Sequence, residues 1–395
     1  MSSNEIDLPR FSLAERARRY AAVRREMAAR DLECLILPHN TGDWDSYQPD
    51  VRYLTGVGGG GSAASAVFPF AGEPIALCRE PGRIDFWKRA QNWVSEVRAP
   101  DHAVWSNAIV AAVRDLGCGN GRIGIVGLSD VMREPEGVIL HGEFQNIERQ
   151  LPRATFVNAT DFMQAIRMKK SAEEIDAFEH AQVCADAVST AVFETARAGA
   201  REIDVYAAMM AAHIRNGGEV PTMMLMASGA EATQTFLMPT RRCFEPNDIL
   251  ITEADTKYMG YQGQSVETVC FGTPHRDYER CFEVSLECFE LILAAMKPGV
   301  PYAELIRIWE THVAKAGMRP GGAIGHGLGL GQDRPRAMAA SDGEGFIVEE
   351  GHVFILKPPV RTPDGKRQNR AGNVVVVERS GARRLGRLEM KMRRL

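Results

Sequence analysis

An α/β domain over residues 1–158 followed by an α+β domain over 159–395 is the fold class this sequence predicts. Length comes first: 395 residues at about 100–200 per domain call for two domains or three. Short apolar runs alternate with helical patterns in the first part, which marks an α/β layer arrangement. Long helices grouped with strand-like runs fill the second part, and that grouping marks α+β.

Residues 12–30 form the first helical pattern, with Ser12 as a natural N-cap. A short apolar run closed by proline, 32–38, reads as a buried strand. The polar stretch 40–48 (NTGDWDSYQ) reads as a loop, and 51–56 (VRYLTG) leads into the glycine run 58–61. Further strand runs lie at 64–70, 74–78, 122–126 and 154–157, with helical segments between them. The charged segment 165–171 (AIRMKKS) opens a long helical pattern from 172 to about 198. Strands follow at 248–252 and 265–271, helices at 276–296 and 301–316, and late strands at 352–357 and 373–378.

Lys and Arg number 47 against 51 Asp and Glu, a net charge of −4. That balance argues against a nucleic-acid partner, which calls for a basic patch. The basic run from Arg383 to Arg394 reads as a solvated face. No apolar stretch approaches the ~18–20 residues of a membrane span. The N-terminus carries no apolar signal core, so the expected location is the cytoplasm. Eight cysteines without CxxC spacing read as buried, reduced thiols.

Three pieces of the second half, taken in order, resemble the family of methionine aminopeptidase, prolidase, aminopeptidase P and creatinase. They are 166–174 (IRMKKSAEE), similar to an R-x-x-K-s-x-x-E opening; 247–272 with its Gly260–Tyr261 pair; and 325–330 (GHGLGL) with 348–354 (VEEGHVF). Asn40 and 51–56 are similar to the longer prolidase and creatinase members. The resemblance covers most of 160–380 and implies the pita-bread fold for the second domain. It also implies a homodimer in which one copy's first domain caps its partner's cavity, so that Trp44, beside Asp43, would close over a small-molecule substrate.

Family metallopeptidases hold two divalent ions with two Asp, one His and two Glu. Carried onto this chain, those positions fall on Glu253, Gln264, His326, Lys357 and Gly372 or Asn373. Only one carboxylate then survives, and a cation stands among the ligand positions. Hard dications require several oxygen anions, so no metal and no cofactor are expected. In a shifted register, Asp255 or Glu267 would replace lost ligands, and Lys357 would still intrude. Creatinase, the metal-free type, uses a histidine that the matching stretch 228–242 lacks, so creatine hydrolysis is not expected.

The expected catalytic residues are His326, Glu253 and Asp255, with Lys357, Gln264, Glu267, Arg334 and Trp44 binding substrate. His326 titrates near neutral pH and suits an acid or base; a buried structural imidazole is the alternative. Glu253 and Asp255 are two apart on a strand and share a face, whereas Gln264 and Glu267, three apart, do not. Lys357 either anchors an anionic group or fills the former metal space as an ion pair with Glu253. Arg336 and Glu349 are expected near the same polar lining, and Glu349–Glu350 read as a solvated turn. The expected activity is metal-independent hydrolysis of a C–N bond in a small polar, carboxylate-bearing compound. A lyase on the same scaffold, or a binding protein that has lost catalysis, are the rivals.

Overall fold

The structure is a computed structural model that describes residues 6, 8–39, 49–59, 62–132, 134–229 and 238–395. It divides into two compact units, Met1–Arg167 with Leu330–Gln332, and Met168–Gly329 with Asp333–Leu395. Both predicted fold classes are present. The loop expected at 40–48, Trp44 included, lies outside the described residues.

In the first unit, strands Cys34–Leu37 (β1), Ala64–Pro69 (β2), Ile75–Cys78 (β3), Glu96–Arg98 (β4), Arg122–Ile125 (β5) and Thr155–Asn158 (β6) form one sheet. Its order is β4-β3-β2-β1-β5-β6. The pairs β1–β5, β5–β6 and β3–β4 are parallel, and β1–β2 and β2–β3 antiparallel. Helices Leu13–Ala29 (α1), Pro49–Thr55 (α2), Ile84–Ala90 (α3), Trp105–Asp115 (α4), His141–Gln150 (α5) and Thr160–Met168 (α6) accompany it. Ser12 caps α1 by accepting the Glu15 N–H at 3.0 Å. The segment after the 40–48 loop begins as α2, a short helix that the apolar pattern there does not announce. One core packs Ile36, Val67, Ile109, Val113, Ile123 and Ile147 together.

The second unit opens with Ala172–Thr195 (α7) and Glu202–Arg215 (α8). Strands Met223–Gly229 (β7), Ile249–Tyr258 (β8) and Tyr261–Cys270 (β9) follow, then helices Arg276–Ala295 (α9) and Tyr302–Lys315 (α10). The remaining strands are Arg319–Pro320 (β10), Gly325–Leu328 (β11), Gln332–Arg336 (β12), Val353–Leu356 (β13), Val360–Arg361 (β14), Gln368–Asn369 (β15), Gly372–Glu378 (β16), Gly381–Arg384 (β17) and Arg393–Arg394 (β18). The main sheet runs β12-β11-β13-β16-β9-β8-β7. β8 is about twice as long as its apolar run suggests, and β9 starts four residues before its run, because their polar residues are buried too. Met224 and Met226 of β7 fill the core under α7 and α8, as their apolar character implies.

The entrance motif has a structural reason. Ser171 accepts the Glu174 N–H at 3.2 Å and Glu174 accepts the Ser171 N–H at 2.9 Å, a capping box that starts α7. The other Glu174 oxygen accepts the Tyr261 hydroxyl at 2.7 Å, tying the helix start to the turn between β8 and β9. Lys170 pairs with Asp333 at 2.7 Å with both side chains about 1% exposed. Helix α7 lies so close to β9 that a Cβ on Gly263 would stand 2.3 Å from the Ala181 carbonyl oxygen. All cysteines except Cys243 are buried, and all are free thiols. Among the described residues, no helix is long and apolar enough to cross a membrane.

Candidate functional site

Four strands of the second unit bring their polar residues together around Glu253. On β8, Glu253 and Asp255 share one face, opposite Val266 and Gln264 of β9. The Gln264 amide donates to Glu253 Oε1 at 2.8 Å. Lys357, the residue after β13, bonds the same oxygen through its ammonium. Arg370, two residues before β16, brings its guanidinium to 3.5 Å from Glu253 Oε2. Glu253 is 5% exposed and Lys357 8%. Burial raises the Glu253 pKa, but the charges of Lys357 and Arg370, the Lys357 bond and nearby His326 outweigh it and hold it down at about 2. Glu253 therefore stays ionised near neutral pH and does not carry protons there. It is an anchored charge, and the expected acid–base role does not suit it.

His326 stands on β11, a strand inside the sheet rather than a ligand-facing loop. Its glycine neighbours serve the packing of strands. A Cβ on Gly325, whose φ is +154°, would meet the Ile355 oxygen of β13 at 1.8 Å, and one on Gly327 the Arg334 oxygen at 2.3 Å. The ring lies close enough to Glu253 to act on its charge. His326 Nδ1 is 2.9 Å from the Gly327 carbonyl oxygen. A carbonyl only accepts, so Nδ1 carries a proton.

Position 372 is held to glycine by its neighbours in the sheet. A Cβ on Gly372 would lie 2.6 Å from the Cβ of residue 357 and 3.2 Å from the Leu356 oxygen. Asn373, the other candidate in sequence, faces elsewhere and accepts the Gly386 N–H at 2.8 Å. Alternation along β16 and the preceding segment places Arg370 in phase with Gly372, a signal in the sequence that points to Arg370 as the second cation.

Several expected members do not join this cluster. Glu267 lies on the opposite face of β9, half-buried against α7 and bonded to Ser189; burial pushes its pKa up to about 7, against the pull of Ser189 and Arg393 and with Asp186 reinforcing it. It is a sheet–helix residue, because three steps along a strand reverse the face. Arg334 is half-buried on β12 beside Asp333, and Arg336 is exposed. Glu349 pairs with Lys169 in an exposed contact, as a solvated turn would. Trp44 lies outside the described residues. Among the described residues, no group of three or more His, Cys, Asp and Glu side chains is placed to hold a metal ion.

Residues 176–379 match metallopeptidase family M24, and residues 19–169 match the creatinase/prolidase N-terminal domain. A Xaa-Pro dipeptidase of Lactobacillus helveticus is 26% identical over 229 residues, 56% of this chain and 61% of that protein. The chain thus spans less than two thirds of that relative's length. A Xaa-Pro dipeptidase of Pyrococcus furiosus is 25% identical over 261 residues, 65% of this chain and 74% of that protein. Among solved structures, the prolidase from Pyrococcus horikoshii OT3 superposes with a TM-score of 0.78 at 19% identity, covering 95% of this chain and 99% of the other. X-Pro aminopeptidase from Thermotoga maritima gives 0.80 at 18% identity, with the same coverage. At these identities the structural likeness shows the fold.

Two substitutions test the cluster. Lys357→Met leaves Glu253 buried with half its clamp, and removing one member of such a pair costs about 3–5 kcal/mol. Adding Glu253→Gln to Lys357→Met restores most of that loss in chemical denaturation. A single variant as stable as wild type would mean that the ammonium is solvated. Glu267 gives a pH signature. Its folded pKa of about 7 exceeds the ordinary 4.5, so the folded state keeps a proton that the unfolded chain loses. Its contribution to stability is fully present below 4.5, declines as pH rises toward 7, and changes no further above that. Glu267→Gln escapes this loss, so its melting-temperature gain over wild type grows between pH 5 and 8. An equal difference at both pH values would contradict the burial argument.

Proposed function

The chain belongs to metallopeptidase family M24, and we propose that it is a hydrolase working without the family's metal pair, cleaving a C–N bond in a small, carboxylate-bearing compound. The carrying observation is the Glu253 clamp. The sole carboxylate at the five carried-over ligand positions is bonded to an ammonium and to an amide N–H. That donor set does not fit a pair of dications, which require several anionic oxygens in a fixed polyhedron.

The relatives named Xaa-Pro dipeptidase support C–N chemistry by their names. Lys357 and Arg370 bring two positive charges to one ionised glutamate, a surplus that favours an anionic substrate group and a developing oxyanion. In this reading water attacks the carbon of the scissile bond. His326 Nε2 takes the proton from that water and passes it to the leaving nitrogen as the C–N bond breaks. Asp255, on the face of Glu253, orients the water, and Glu253 fixes Lys357. Two copies pair, each first domain closing over its partner's site. A binding protein without catalysis is the rival, favoured by the fact that Glu253's bonds are met from within the chain.

The test uses chelator-treated protein on a panel of N-acyl amino acids, guanidino acids and dipeptides ending in proline, with products read by mass spectrometry. Turnover persists in chelator and falls about 10²–10⁴-fold in His326→Ala. Turnover that requires added manganese contradicts the proposal, and no turnover on any class supports the binding protein. Light scattering at micromolar concentration reads a dimer; a monomer removes the capping arrangement.

A further inference from the structure

The first unit holds a cavity of about 580 Å³, lined among others by His39, Arg79, Val104, Trp105, Leu140 and Glu143. None of these belongs to the Glu253 cluster. Helices α4 and α5 both begin at this cavity, and their N-cap positions are held by Val104 and Leu140. Apolar side chains cannot accept the orphan N–H groups of a helix start, and they are among the poorest N-caps. No side chain caps either helix. Val104 and Leu140 are about 40% exposed, so the mouth of the cavity is apolar.

Its interior is polar and incompletely bonded. His39 is 8% exposed and its ring lies flat on Trp105, with centroids 4.4 Å apart. The buried His39 Nδ1 has no hydrogen-bond partner among the described residues. Glu143 Oε1 accepts the His39 backbone N–H at 3.3 Å, while Oε2 stands 3.8 Å from Nδ1. At 3.8 Å these two atoms make no direct hydrogen bond, and with Nδ1 unprotonated both are acceptors. One nitrogen donor at ~2.9 Å from each would bridge them. The α4 start has no acidic residue in its first turn, so its positive end suits an anion, and Arg79 lines the same cavity.

We propose that this cavity binds a free apolar α-amino acid. Its ammonium donates to Glu143 and His39, its carboxylate lies at the start of α4 near Arg79, and its side chain covers Trp105, Val104 and Leu140. The arrangement asks for both charges of a zwitterion and for an apolar body of cavity size. It does not rest on the chemistry assigned to the second unit.

Calorimetric titration of the full-length protein with L-leucine tests it. Saturable binding is expected with a Kd on the order of 1 mM or tighter. L-leucinamide, which lacks the carboxylate as the start of a peptide does, and N-acetyl-L-leucine, which lacks the ammonium, bind about tenfold or more weakly. Glu143→Gln keeps an oxygen for the His39 N–H and so keeps the fold, checked by circular dichroism, yet loses about tenfold in affinity; Arg79→Gln, at an exposed position, does likewise. His326→Ala binds as wild type does, which separates this cavity from the Glu253 site. Absence of heat with L-leucine, equal binding of leucinamide, undiminished binding by both Glu143→Gln and Arg79→Gln, or loss of binding in His326→Ala would each overturn the proposal.

Discussion

The ion pair between Lys357 and Glu253 is the constraint on which the second unit's polar centre depends. Glu253 sits on a central strand of an antiparallel sheet, opposite Val266 and within reach of Gln264. A carboxylate buried there without partners would be protonated or would unfold the sheet. Lys357 and Arg370, from the ends of two other strands, keep it charged. The same two residues then dictate what can surround them. Gln264 turns its amide N–H toward the glutamate, where a second acid would repel it. Glutamate, amide and lysine form one solution to a charge problem.

Around this centre the fold is held by contacts that the motif residues make with one another. Glu174 caps α7 and at the same time accepts the Tyr261 hydroxyl, so the helix start and the β8–β9 turn are fixed together. Lys170 meets Asp333 in a pair with almost no solvent exposure. The glycines around His326 let β11 lie against its neighbours at distances no Cβ would allow. Position and charge of the site thus follow from sheet packing, and chemistry is layered on a scaffold whose own needs explain most of its short motifs.

Much of this was legible in the sequence because strand alternation is rigid. Glu253 and Asp255, two apart, had to share a face, and Glu267 could not share one with Gln264. The resemblance carried Glu253, Gln264 and Lys357 onto one set of positions, and the structure brings their side chains together. What escaped had a physical reason in each case. Arg370 precedes its strand, so periodicity gave it no face until the phase of Gly372 was known. The strand at His326 was hidden because glycine signals both turns and close strand approach. The buried lengths of β8 and β9 were hidden because their polar residues are satisfied by partners distant in sequence, such as Thr256, whose hydroxyl donates to the Ala181 carbonyl oxygen at 2.7 Å.

The claim that an internal cation has taken the place of the metal pair is tested most directly by calorimetric titration of manganese and zinc into chelator-stripped protein. With Lys357 bonded to Glu253, the account predicts no saturable heat at micromolar metal for wild type. Binding of two ions per chain with micromolar or tighter affinity, accompanied by a rise in melting temperature, would contradict it.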